Sequence, residues 1–372
     1  MMVNYLYWLM KTKRILGLLM ALAFSVSVSA YYPFFAYGSE SNYKSGIYDI
    51  AHDGDNIYVA KQGGLVVINK ATGAKTVYQN GEGLLSADPI SLGCHNGDLW
   101  VGTADGKLLN WSREKELSPG GNPISNIVFA PNNRVYVCMG TTGVIVDLEG
   151  FCAISNFGGD YYGGFPSMCI DTNGTAWIGR WRTIPTTMSL VKYNEQDGAH
   201  YMFKENDQLP RAWVYSLAAD DEGGVWYSTA DGRLIRLLND EVSTIYECEN
   251  FGYDMAFDSQ QQLWMACANG PLLKMNDGEY TTYPCEFESR RWSCLDIDDE
   301  AIYVGTDAIL LKFEDGIFSV IDVELEVTTG VNTAKQDAAT GREPVFDLQG
   351  RRLSGKPQHG AYIKDRRKQV VR

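Results

Sequence analysis

The sequence predicts an all-β fold: a seven-bladed β-propeller of four-stranded antiparallel blades, followed by a short C-terminal β tail. Three observations predict it. Short apolar or alternating runs recur along the chain, and no window keeps a helical apolar period. The 372 residues include 22 tyrosines, nine tryptophans and 38 glycines, which is typical of strands joined by tight turns. The third observation is a short pattern that recurs along the chain.

The recurring pattern is an aromatic residue followed two positions later by a small one. It is clearest in LWVGTADGKLL (99–109), VWYSTADGRLI (225–235) and LWMACANGPLL (263–273). The aromatic residues are Tyr58, Trp100, Tyr136, Trp177, Trp226, Trp264 and Tyr303. The small residues are Ala60, Gly102, Cys138, Gly179, Ser228, Ala266 and Gly305.

Both positions of the pattern share one face of a strand, because strand side chains alternate between faces. The ring would fill the wide part of a wedge between radial sheets, and the small residue would let neighbouring sheets approach. A spacing of roughly 40 residues leaves room for four strands per unit and excludes leucine-rich or helical repeats.

The chain divides into five predicted segments. We expect a signal peptide over 1–30, an N-terminal extension over 31–46, the propeller over 47–325, a polar linker over 326–342 and a basic tail over 343–372. From Met10 the leader has a basic cluster, an apolar run and the small-residue exit Val28-Ser29-Ala30. It therefore predicts export to the periplasm, the outer-membrane surface or the medium. An uncleaved anchor is the alternative, and translation could start at Met1 or Met10.

The net charge of the chain limits the classes of partner that we expect. The formal net charge of −14 becomes −17 once the three basic residues of the leader are removed. Such a surface repels nucleic acid, so we expect no nucleic-acid partner, and we expect a monomer.

All eight cysteines follow the leader, where disulfides are permitted, and Cys285 with Cys294 is the first pair to test for a disulfide. No zinc spacing occurs, so no metal and no cofactor are predicted.

The units from residue 47 to about 325 resemble a known family, most clearly in two of them. DQLPRAWVYSLAADDEGGVWYSTADGRLIRL (207–237) is similar to the two-component regulator propeller repeat. The matching positions are Leu209, Pro210, Val214, Leu217, Asp220, Gly223, Trp226, Thr229 and Gly232. The resemblance implies a seven-bladed propeller, and family members often form the sensing ectodomain of membrane histidine kinases.

Several units carry an aspartate at the predicted turn before the aromatic residue, as in Asp171, Asp220 and Asp258. Two interpretations are open. The carboxylate could cap backbone N–H groups of the turn, or it could bind calcium.

The tail is basic, with nine Lys or Arg and three acidic residues from Arg342 onward. EPVFDLQGRRL followed by GAYIKD and KQVV resembles the end of C-terminal sorting domains of the type IX secretion system. The fitting positions are Val345, Asp347, Leu348, Gly350, Arg351, Gly360, Tyr362, Ile363 and Val370. The resemblance implies contact with secretion machinery; the alternative is a basic tail that packs on the acidic propeller.

No catalytic residues are predicted. The four histidines lie outside any H-E-x-x-H motif, and no serine lies in G-x-S-x-G.

The sequence gives a weaker indication of a ligand-binding site, because predicted loops of one propeller face pair Arg with Trp. The candidate ligand-binding residues are Tyr161, Tyr162, Arg180, Trp181, Arg182, Arg211, Trp213, Arg290, Arg291 and Trp292. Arg offers a fork for carboxylates and Trp a face for a sugar ring or cation, which suits an acidic glycan or peptide.

The function predicted from the sequence is an exported, non-catalytic propeller that recognises a ligand or serves as an interaction scaffold. One alternative is a propeller lyase or hydrolase acting on acidic polysaccharide. Another is a detached sensor propeller that works with a membrane kinase.

Overall fold

The computed structural model describes residues 46–325, apart from 141, 159–166, 180–189, 195–198, 203–211, 249–251, 268–270, 277–278, 288–291 and 308, together with short tail strands between 345 and 371. This part of the chain is all β, and helices are absent from it. It accordingly offers no helix with the length and apolarity needed to span a membrane.

Seven four-stranded antiparallel sheets form the blades, and each sheet is built from consecutive strands. Blade 1 comprises β1 Ile47–His52, β2 Asn56–Lys61, β3 Gly64–Asn69 and β4 Lys75–Gln79. Blade 2 comprises β5 Pro89–His95, β6 Asp98–Thr103, β7 Leu108–Asn110 and β8 Lys115–Leu117. Blade 3 comprises β9 Ile124–Ala130, β10 Arg134–Met139, β11 Thr142–Asp147 and β12 Cys152–Gly158.

The remaining blades repeat this order. Blade 4 comprises β13 Met168–Ile170, β14 Ala176–Gly179, β15 Leu190–Asn194 and β16 Ala199–Met202. Blade 5 comprises β17 Val214–Ala219, β18 Val225–Thr229, β19 Arg233–Leu238 and β20 Glu241–Glu247. Blade 6 comprises β21 Gly252–Phe257, β22 Leu263–Cys267, β23 Leu272–Asn276 and β24 Glu279–Tyr283. Blade 7 comprises β25 Trp292–Ile297, β26 Ile302–Thr306, β27 Leu310–Glu314 and β28 Ile317–Ile321.

The first strands of the blades form the inner ring of the propeller, since β1, β5, β9, β13, β17, β21 and β25 pack against one another in cyclic order. The core is divided accordingly into seven hydrophobic clusters, one at each junction between adjacent blades. The predicted propeller is confirmed. We call the side of the inter-blade links and β2–β3-type turns the link face, and the opposite side the hairpin face.

The small residue of the repeated pattern lies where the next blade approaches. A Cβ at Gly179 would lie 2.7 Å from Val214 Cγ1 in the inner strand of blade 5. A Cβ at Gly305 would lie 2.8 Å from Ile47 Cγ2 in blade 1. Both distances are far inside ordinary van der Waals contact, which agrees with the wedge explanation of the small position.

The ring closes between blades 7 and 1 by side-chain packing, because each of these blades takes all its strands from one stretch of chain. Ile47 and Val59 share a cluster with Tyr303 and Leu310. The buried Lys61 ammonium donates to the Val323 carbonyl oxygen at 2.9 Å. These contacts take the place of a strand shared between the first and last blades.

The tail forms a separate four-stranded sheet in the order β30-β29-β31-β32. Its strands are β29 Val345–Phe346, β30 Arg352–Leu353, β31 Gly360–Lys364 and β32 Arg367–Val371. The predicted β character of the tail is confirmed.

All eight cysteines are free. Cys285 packs at the junction of blades 6 and 7, and Cys294 at the junction of blades 7 and 1. The bridge suggested for this pair is therefore not formed.

Candidate functional site

A repeated β-bulge shapes the inner ring. In six inner strands the second residue is an extra one that has no cross-strand partner in the register. A bulge bends its strand and turns the extra side chain away from the regular faces of the sheet. The bulged residues are Tyr48, Ile90, Ser125, Tyr215, Tyr253 and Ser293, and all six are half-buried.

Three of the bulged residues are tyrosines, and all three lie at the link-face end of the inner ring. The rings of Tyr215 and Tyr253, from adjacent blades 5 and 6, meet edge to face with centroids 5.5 Å apart. Tyr48 comes from blade 1, where burial and the nearby Asp88 carboxylate raise its pKa to about 12. Rigid tyrosine rings offer contact area at low entropic cost.

Two carboxyl groups, each one position after a bulged tyrosine, join adjacent inner strands by hydrogen bonds. Asp49 accepts a hydrogen bond from the Leu92 backbone N–H of the next blade at 2.7 Å. Asp254 makes the same contact to the Leu295 backbone N–H at 2.9 Å. Desolvation raises the pKa of Asp49 to about 8 and that of Asp254 to about 7.

A histidine–carboxylate pair joins blades 1 and 7 at a position closer to the hairpin face. His52, the last residue of β1, lies 2.7 Å (Nδ1) from Asp296 Oδ2 on β25. The hydrogen bond to Asp296 raises the pKa of His52. The charge of Asp296 in turn raises the pKa of both Asp49 and Asp254. His52 and Asp296 thus lie in the same inner ring as the two buried carboxyl groups of Asp49 and Asp254.

The turn aspartates have a structural role. Asp258 Oδ1 accepts from the backbone N–H groups of Gln260 and Gln262, each at 2.9 Å, while Oδ2 accepts from Trp264 Nε1 at 2.8 Å. The equivalent indole bonds are 2.8 Å from Trp177 to Asp171 and 2.9 Å from Trp226 to Asp220. In blades 1 and 7 a tyrosine hydroxyl takes the place of the indole.

These bonds agree with the capping interpretation of the turn aspartates. Among the described residues, no group of His, Cys, Asp and Glu is arranged to hold a metal ion.

The predicted Arg–Trp site falls mostly outside the described residues. Tyr161, Tyr162, Arg180, Trp181, Arg182, Arg211, Arg290 and Arg291 all lie there. Trp213 is described; it is half-buried and precedes the bulged Tyr215 by two residues, at the link-face end of the inner strand of blade 5. Trp292 is 1% exposed and packs against Phe318, with ring centroids 5.8 Å apart. Contrary to its predicted role as a ligand contact, Trp292 is a core residue.

The bulged tyrosines were missing from the sequence prediction. Their signal is a tyrosine at the second position of a unit's first strand, in IYDIAH, VYSLAA and GYDMAF. Alternation of strand side chains predicts a blade-facing side chain there. The bulge overrides that alternation, and a single sequence does not reveal it.

Comparison with known proteins shows a shared fold at low identity. No protein-family model and no curated protein matches the chain. A streptogramin B lyase structure is 12% identical, with a TM-score of 0.61 over 75% of this chain and 95% of the other. YCF48 bound to D1 peptide is 10% identical, with a TM-score of 0.59 over 73% of this chain and 92% of the other.

A third similar structure is the extracellular domain of a hybrid two-component system protein from B. thetaiotaomicron. It is 15% identical, with a TM-score of 0.57 over 88% of this chain and 43% of the other. At these identities the comparisons show the propeller fold alone.

Proposed function

We propose that this chain is an exported, non-catalytic propeller that recognises a glycan or peptide at the link-face mouth of its channel. The observation that carries the proposal is that Tyr48, Tyr215 and Tyr253 stand on bulges at the link-face end of the inner ring, with Trp213 two positions before Tyr215. Aromatic rings held on a rigid scaffold bind sugar rings and peptide side chains with little loss of entropy.

Two features of known propellers support this proposal. The similar two-component system domain is extracellular, which agrees with the export predicted from the leader. The similar YCF48 structure carries a bound peptide, so a propeller of this fold can serve in recognition. A sensor that works with a membrane kinase would use the same recognition step.

The proposal is tested with a glycan and peptide array probed with the wild type, Tyr215→Ala and Tyr253→Ala. We expect each variant to weaken binding of any hit at least tenfold, since a buried aromatic contact contributes on the order of 1–2 kcal/mol or more. Tyr280→Ala is the matched control, because Tyr280 is 49% exposed on the outer strand β24. Equal loss in Tyr280→Ala, or no hit with the wild type, would overturn the proposal.

The acid–base groups of the channel favour a second candidate, a lyase or hydrolase acting on acidic polysaccharide. His52 Nδ1 hydrogen-bonds Asp296, an arrangement suited to general-base catalysis, and two carboxyl groups with pKa values of about 8 and 7 lie in the same inner ring. Polygalacturonate and alginate are suitable substrates for an assay of new reducing or unsaturated ends. Activity that disappears in Asp296→Asn with the fold retained would replace the recognition proposal with this one.

A further inference from the structure

The outer strand of blade 7, β28, is an open sheet edge. It pairs with β27 on one side, and within the described residues no strand pairs with it on the other. Two large apolar side chains of this strand face solvent, since Ile317 is 69% exposed and Val320 is 46% exposed. An open edge with exposed apolar side chains can accept a further strand.

The hairpin turn before β28 determines which of its backbone groups point outward. The turn at 315–316 has two residues with φ of 51° and 82°, so Ile317 is the first residue that is hydrogen-bonded to β27. Bonded and non-bonded positions alternate along an antiparallel pair, so Ser319 also bonds to β27. The backbone N–H and C=O groups of Phe318 and Val320 therefore point outward, where an added strand would bind.

Other outer strands carry protection against such pairing that β28 lacks. Strands β4, β8, β20 and β24 each contain Lys or Glu. Strand β12 is uncharged but has a bulge at Ile154. Charges and bulges are the usual means of keeping an edge strand from pairing with another chain. The five residues of β28 are uncharged and their register is continuous, so this edge is both flat and apolar.

The two ends of β28 are acidic. Four exposed carboxylates lie there: Glu314, Asp315, Asp322 and Glu324. Lys312 and Lys75 each form an ion pair with one of them. Asp315 and Glu324 stand outside these pairs at opposite ends of the strand, although Glu324 also attracts the buried Lys61. A segment added along β28 would meet a carboxylate at each end, which favours Lys or Arg at its own ends.

Apolar surface is available on both faces of this edge. Phe318 packs on Trp292, with ring centroids 5.8 Å apart, at the junction of blades 6 and 7. Val320 lies on the same face as Phe318, and Ile317 lies on the opposite face. An added strand of β-branched residues would cover both through cross-strand pairs.

We propose that β28 docks an extended segment of another protein by strand addition, and that this segment has β-branched residues in its middle and Lys or Arg at its ends. Main-chain bonds to Phe318 and Val320 supply the affinity, and the end charges supply the preference among partners. The site goes beyond the recognition proposed at the link-face mouth and is independent of it, because β28 lies on the outer rim of blade 7.

The test measures backbone hydrogen exchange of the full chain with the capped peptide KVTVTVK. We expect the peptide to slow exchange of the Phe318 and Val320 amides. It should not affect Tyr280 and Thr282, which hold the same two positions in β24. The peptide EVTVTVE reverses the end charges and KVTPTVK removes the central N–H, so both should bind more weakly in calorimetry.

Variants of the edge distinguish strand addition from non-specific adsorption. Val320→Pro removes an outward N–H and keeps the bonds to β27, and Ile317→Lys places a charge at an exposed position. Each should weaken binding of KVTVTVK by about tenfold or more. The matched variants Thr282→Pro and Tyr280→Lys in β24 should leave binding unchanged.

Three results would overturn the docking of a partner. The first is exchange at Phe318 and Val320 that the peptide does not slow, or an equal loss of binding in the β24 variants. The second is a dimer in sedimentation that Ile317→Lys disrupts, which would assign the edge to a second copy of the chain. The third is protection without peptide that deletion of 343–372 removes, which would assign the edge to the tail. None of these results bears on the array test of the link-face mouth.

Discussion

At the scale of single residues, the glycines of the repeated pattern are held small by the inner strand of their own blade and by the neighbouring blade. At Gly305 an added Cβ would meet Cys294 Sγ and Ile47 Cγ2, and at Gly102 it would meet Ser91 and Ile124. These neighbours are buried in the core and cannot withdraw into solvent.

We therefore expect Gly102→Leu and Gly305→Leu each to lower the free energy of unfolding by about 1–3 kcal/mol or more through overpacking. Urea unfolding followed by tryptophan fluorescence measures this change. Gly54→Ala is the control, because a Cβ there has nothing within 4 Å and should leave the midpoint unchanged. Unaltered midpoints in both leucine variants would contradict the wedge explanation.

The tryptophans differ in how much their indole N–H contributes to the free energy of unfolding. Trp226 donates to Asp220, which is 8% exposed and also bonds Arg236. Trp226→Phe leaves that buried carboxylate with one donor fewer, and hydrogen bonds to charged groups contribute about 1.5–3 kcal/mol. Trp100→Phe removes a donor that has no partner. Trp226→Phe should thus be the more destabilising variant in urea, by about 1 kcal/mol or more; equal losses would contradict this ranking.

At the scale of elements, the sequence predicted the strands and their repeat better than their irregularities. The alternation of large and small side chains appears in every unit, so the blades and their order could be derived from it. The bulges at Tyr48 and Tyr253, and the two-residue turn at Asn96, depend on local backbone geometry that alternation does not encode. The proposed recognition site lies at these departures from the repeat, because the average unit describes packing and a bulge changes the direction of a side chain.

The carboxyl groups that join inner strands make stability depend on pH. With pKa values of about 8 and 7, Asp49 and Asp254 hold protons in the folded protein that the unfolded chain has already released. From about pH 4 to pH 8 the folded state binds more protons, so the free energy of unfolding falls as pH rises. His52, whose pKa is also raised, acts in the same direction.

We expect the melting temperature to fall by several degrees between pH 5 and pH 9, as read by differential scanning calorimetry. Asp49→Asn and Asp254→Asn should each flatten part of this fall, and the double variant should flatten more. The two single variants control for each other, since the carboxyl groups lie in blades 1 and 6. A double variant with the wild-type slope would show that these groups stay ionised.

At the scale of the whole molecule, the ring is complete within residues 46–325. Blade 7 packs on blade 1 through a shared hydrophobic cluster, and Ser293 Oγ donates to the Ile47 carbonyl oxygen at 2.8 Å. The tail strands pair with one another in their own sheet. Because the ring closes by packing between blades 7 and 1, its closure does not require the tail.

Removal of the tail can separate the folding of the propeller from its localisation. Deleting residues 343–372 should leave a soluble propeller whose melting temperature lies within a few degrees of the full chain, because the seven junction clusters are untouched. If the basic tail is the sorting signal that its sequence resembles, the truncated protein should lose its place at the cell surface, as measured by protease accessibility on intact cells. A chain in which Arg351, Arg352, Arg366 and Arg367 are changed to Gln is the matched control for charge. Packing of a basic tail on the acidic propeller predicts the reverse pattern: the truncation would lower the melting temperature, and surface display would persist.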